Sequence, residues 1–176
     1  MEDNQAQTGK VALKYGVILG VIGIVFNLML YYQDLHYQLD LKRIFFTIGL
    51  SLVFIVVGSF IGIQEFKTKN DGYLKFKEGM KIGVGMSLIA GIIGIAFSFV
   101  LAKIIDPEME QKAIEYATEM MLDSGMDPVE IDKQMESQKN SNVYWQVAGG
   151  LVFNLIIGFV GSIIPALILK KDKPAY

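Results

Sequence analysis

Cysteine is absent and histidine occurs once, so the chain can hold no disulfide, no cysteine-bound iron–sulfur cluster and no thiolate zinc site. Charge is also sparse. Asp, Glu, Lys and Arg make up 19% of the residues, against roughly 25% in an ordinary globular domain. The formal net charge of −2 offers no basic field to nucleic acid. No G-x-S-x-G, H-E-x-x-H or phosphate-binding loop occurs, so no nucleophile, metal-protease or nucleotide chemistry is signalled. Nothing in the residues calls for a cofactor or marks an enzyme.

What remains is apolar. Of the 176 residues, 52% are hydrophobic, and four long stretches carry no formal charge. They are 15–32, 44–63, 82–102 and 145–169. A membrane helix needs about 20 such residues at about 1.5 Å each to cross a hydrocarbon core of about 30 Å. None of the four shows the polar stripe of a buried helix in a water-soluble bundle. The expected fold is therefore all-α: one integral membrane domain, a four-helix bundle running up-down-up-down. Pro165, near the end of the last span, is expected to kink it or loosen its final turn. The leader, MEDNQAQTGK, begins acidic and the first apolar run is long without an A-x-A site, so the first span reads as a retained signal anchor.

The stretch KTKNDGYLKFKEGMK packs five lysines between the second and third spans. Cytoplasmic loops hold an excess of Lys and Arg close to the spans. The N-terminal segment, this loop and the tail share ten basic residues, and the other two connections share six. That bias predicts cytoplasmic termini. A basic cluster beside a bilayer also attracts anionic headgroups, which makes anionic lipid a second expected partner there.

The connection at 103–144 carries ten acids and four lysines. Asp106-Pro107 and Asp127-Pro128 each read as an N-cap followed by proline at the first helical position, and Ser124-Gly125 reads as a helix stop. Two helices are expected, at about 107–123 and 128–139, as an extracytoplasmic hairpin. Met109, Ala113, Ala117, Met120 and Met121 form one apolar stripe on the first. The stripe is expected to pack on its partner helix or on the bundle's rim, with a partner-binding groove as the sharper alternative.

Small residues four apart, such as Gly16/Gly20, Gly58/Gly62, Gly79/Gly83, Ser87/Gly91 and Ala90/Gly94, allow close helix approach in lipid, within the chain or through self-association. A weak repeat accompanies them. GVIGIVFN (Gly20–Asn27) resembles GIIGIAFS (Gly91–Ser98), and LVFIVVGSF (Leu52–Phe60) resembles LVFNLIIGF (Leu151–Phe159). The few polar residues at membrane depth include Asn27 and Asn154, the candidate site residues. Both are expected to hydrogen-bond across helices, or to line a polar path. Asp34, His36 and Asp40 form a thin metal-ligand set, and the neighbouring Tyr31, Tyr32 and Tyr37 point instead to a headgroup-level loop.

NDGYLKFKEGMKIG, then an apolar span, then IIDPEMEQKAIEYATEMMLDSGMDPVEIDKQMES resembles an uncharacterised family of four-span bacterial membrane proteins, domain of unknown function 4199. Gly72, Phe76, Gly79 and Gly83 match the first part of its pattern, and Asp106, Pro107, Gly125 and Glu130 the second. The resemblance implies a multi-pass protein of the bacterial inner membrane and brings no activity or ligand with it. The functional expectation is a non-enzymatic interaction or assembly protein; the alternative is a small oligomeric transporter or channel.

Overall fold

A computed structural model describes residues 7–38, 40–139 and 142–174. Most of the acidic leader, residues 1–6, lies outside them. The described chain is helical: α1 (Thr8–Tyr32), α2 (Leu41–Lys69), α3 (Phe76–Val100), α4 (Met109–Asp123), α5 (Pro128–Lys139) and α6 (Val143–Leu169). A π-helical turn, Leu101–Ile105, extends α3. The helices α1, α2, α6 and the extended α3 are long and apolar enough to cross a bilayer. Large side chains such as Phe45, Val25, Leu167 and Ile168 remain exposed, as lipid-facing residues must. Pro165 is buried inside α6, which continues past it to Leu169. The helix tolerates a missing amide one turn from its end.

The ends of the long helices are built differently. At one, which we call the lysine end, α1 starts, α2 passes into α3, and α6 finishes. Here α2 stops in a tight reversal, with Asp71 and Gly72 at positive φ and Gly72 N–H donating to Lys67 O at 2.9 Å. This is the C-terminal motif that favours glycine. Leu74, fully buried, then exchanges backbone hydrogen bonds of 2.8 and 2.9 Å with Lys171, clipping the loop to the tail. Glu65 accepts from Lys14, Lys69 and the Tyr15 hydroxyl. The helix starts here, Lys75 N–H donating to Glu78, complete the connection to α3.

Glycines set the packing. On α3, Gly79 lies against Ala166, Gly83 against Ser162, and Gly91 against Asn154, an antiparallel register with α6. With α1 the numbers rise together: Gly85 meets Ala12, and Ile89 and Ile93 cover Gly16 and Gly20. Gly58 and Gly62 of α2 face Leu19, Tyr15 and Val11 of α1, and Met86 of α3. The expected close approach is thus realised within the chain. Only Gly94, of the pairs named above, meets open space.

Apart from Leu101, in the turn that extends α3, the buried positions of the four long helices sit towards the lysine end. They are Val11 to Gly20 on α1, Ile55 to Phe66 on α2, Gly79 to Gly91 on α3 and Ile157 to Ala166 on α6. Beyond them the packing loosens, although Gly150 of α6 still lies against Ile95 of α3. Tyr32, Tyr144 and Trp145 mark that far end, the hairpin end, with the exposed aromatics that gather at membrane interfaces.

Candidate functional site: an intramembrane cavity at the hairpin end

Where the packing loosens, the helices enclose a cavity of about 310 Å³. Both candidate residues line it: Asn27 from α1 and Asn154 from α6. Neither makes the expected interhelical bond. Each amide instead donates back along its own helix, Asn27 Nδ2 to Gly23 O and Asn154 Nδ2 to Gly150 O, both at 2.9 Å. Asn154 does so although its amide lies against Gly91 of α3, because each Nδ2 finds the carbonyl four residues back on its own helix within reach. The cross-helix bond at this level comes from Ser87, whose hydroxyl donates to the backbone carbonyl of Asn154 at 2.7 Å.

The cavity's walls follow the weak sequence repeat. Gly20, Gly23 and Asn27 of the first segment line it, and so do their counterparts Gly91, Gly94 and Ser98. From the second pair of segments, Phe54 and Ile55 line it opposite Phe153 and Asn154, which hold the matching positions. Each helical hairpin contributes one asparagine and one serine, Asn27 with Ser51 and Asn154 with Ser98, of which only Asn27 and Ser98 hold matching positions. Ser51 and Ser98 hydroxyls donate to Thr47 O and Ile95 O.

A second chamber of about 540 Å³ adjoins the first, sharing Ile95 and Ser98. The start of α4 and the first turns of α6 wall it, with Met109, Ala113, Ile114, Val143 and Val147 inward and Lys103 and Glu110 at 3.8 Å from each other on its rim. The N-terminal part of the α4 stripe thus rests over the bundle's edge, while Met120 is exposed.

What holds α4 in place is a contact invisible to local reading. His36 and Asp106, both buried, are hydrogen-bonded at 2.9 Å across seventy residues of sequence. Lys112 donates to both carboxylate oxygens at 2.9 and 3.0 Å. The Lys112 ammonium holds the Asp106 carboxyl below its ordinary value; burial opposes this, and His36 adds a smaller downward pull. Asp106 in turn raises Lys112. Tyr31 and Tyr37 pack edge-on against the His36 ring at 5.1 and 5.2 Å, and Tyr37 meets Tyr116 of α4.

Two expectations change accordingly. Asp106 does not cap α4, which starts at Met109 after an uncapped Glu108, because charge-assisted pairs outcompete a single backbone amide for the carboxylate. His36 lies in the first loop beside Tyr31 and Tyr37, as expected, but it is a buried tether there, and its Nδ1 has no partner among the described residues. Asp40 caps α2 through Arg43 N–H at 3.0 Å, and Asp34 is exposed, so the three do not converge. No metal-holding cluster occurs among the described residues. The Asp127 carboxylate does cap α5, accepting from Val129 N–H at 2.8 Å. Gly125, at positive φ, closes α4 as expected, with Met126 N–H reaching Met121 O.

A family model described as protein of unknown function (DUF4199) matches residues 14–171. The chain belongs to that family. The match takes in α1 from Lys14 onward, the other three long helices, the clip at the lysine end and the hairpin, so the DUF4199 unit includes both chambers. No curated protein matches the chain. No solved structure matches it either.

Proposed function

We propose that the chain is a non-enzymatic binding and assembly protein of a bacterial inner membrane. Its four spans run up-down-up-down, with the lysine end in the cytoplasm and the α4–α5 hairpin outside. The observation that carries this reading is the lengthwise asymmetry: small residues seal the lysine half, while the hairpin half opens into two joined chambers. A cavity closed at one end suits retention of a ligand or partner better than continuous passage. The basic residues gathered at the lysine end support the orientation, and they would face anionic headgroups of the cytoplasmic leaflet.

The absence of cysteine makes the test direct. Single variants Lys75→Cys and Glu119→Cys are labelled in intact cells with a membrane-impermeant maleimide. Glu119→Cys should react and Lys75→Cys only after lysis; the reverse pattern refutes the orientation. The second reading, a small oligomeric transporter, draws on Asn27 and Asn154 sharing the cavity. It requires solute flux into proteoliposomes that fails when both are replaced by leucine.

A further inference from the structure

The inner chamber has a definite chemistry. No ionisable side chain lines it. Its four polar side chains have each committed a proton to a backbone carbonyl of their own helix: Asn27 and Asn154 through the amide, Ser51 and Ser98 through the hydroxyl. A hydroxyl has one proton, so Ser51 and Ser98 are left as acceptors only. Among the described residues, no donor reaches Asn27 Oδ1 or Asn154 Oδ1. The lining therefore holds four acceptor oxygens, against one remaining N–H on each asparagine. At this depth an unmet acceptor is costly and a charged guest without a counter-ion costlier still. The outer chamber that continues from it is mostly hydrocarbon.

We propose that the joined chambers bind a neutral amphiphile with hydroxyl groups at one end, of the monoacylglycerol kind. The hydroxyls donate to Asn27, Asn154 and the two serines, and the hydrocarbon body extends past Ile95 and Ser98 beneath α4. Both chambers have volumes of the order of the ~300–1,000 Å³ that ligand sites span. The proposal rests on the binding-protein reading above. It is independent of which end faces the cytoplasm, so the labelling map and the experiment below can fail separately.

The full chain is placed in phosphatidylcholine nanodiscs with one of three probes bearing the same diazirine-modified chain: a monoacylglycerol, the free fatty acid, or its methyl ester. After photolysis, the monoacylglycerol should attach to peptides containing Ala90–Ser98 and Val143–Val147, and unlabelled monoacylglycerol should compete. The fatty acid carries a charge and the ester has no donor; each should label about tenfold less, the ratio that one ordinary hydrogen bond supplies. Asn27→Leu with Asn154→Leu should lower monoacylglycerol capture by at least that factor. Gly94→Leu fills a position with no atom within 4 Å and should block capture while leaving the thermal transition in place. Equal labelling by all three probes would mean that ordinary lipid tails fill the space, and would overturn the proposal. Capture unchanged by Gly94→Leu, or located away from these peptides, would overturn it too.

Discussion

Two alanine substitutions on one face of α3, Gly83→Ala and Gly94→Ala, should push stability in opposite directions. At Gly83 an added Cβ would overlap the Ser162 Cβ and sit 2.9 Å from both the Ser162 and Ser59 hydroxyl oxygens. A Cβ cannot rotate out of the way, so α3 and α6 must part. Overpacking of this kind costs about 1–3 kcal/mol. Ser162 also donates to Gly158 O at 2.6 Å, and disturbing that bond adds about 1 kcal/mol. At Gly94 nothing lies within 4 Å, so alanine brings only its helix preference, a gain of at most about 1 kcal/mol. The two variants should therefore differ by about 2–5 kcal/mol. The measurement is reversible unfolding of purified protein in mixed micelles, titrated with a denaturing detergent and followed by far-UV circular dichroism. Equal destabilisation by the two, or a worse effect from Gly94→Ala, would refute the division into a sealed half and an open half.

Three more outcomes are expected. Asp106→Ala leaves the buried His36 Nε2 without its acceptor, at about 1–3 kcal/mol, and should expose the α4–α5 hairpin to limited proteolysis before the spans unfold. The pH dependence of Asp106 has a fixed sign. Its carboxyl is held below the ordinary value, so its contribution is complete above about pH 4 and lost as pH falls through the lower folded value. Hairpin protection by Asp106 should accordingly be constant from neutral pH down to about 4 and fade only below it. Lys171→Pro removes the amide that donates to Leu74 O at 2.9 Å and should cost about 1 kcal/mol, seen as faster amide exchange at Tyr73 and Leu74.

The long helices were legible in the sequence because charge-free runs of spanning length leave few alternatives, and the hairpin because Asp127-Pro128 and Ser124-Gly125 carry local backbone chemistry. The same local logic misread Asp106. Its better partners, His36 and Lys112, lie seventy and six residues away, and only folding brings the first within reach. The single histidine, beside an apolar span, was the only hint. Asn27 and Asn154 were recognisable as polar residues at depth, yet their bonding was not, since an asparagine's choice between its own helix and a neighbour depends on which carbonyl folding leaves within reach. The weak repeat turned out to trace the cavity's wall: there Gly20 and Gly91 make close contacts, with Ile93 and Asn154, while Gly23 and Gly94 leave room.

The Leu74–Lys171 clip also orders events during synthesis. Leu74 emerges well before its partner, so the lysine end cannot lock until Lys171 has left the ribosome. Until then, α1, α2 and α3 can only wait, with Leu74's amide and carbonyl unmatched. A stop codon placed after Leu169 would leave every span intact and yet yield a molecule that never latches.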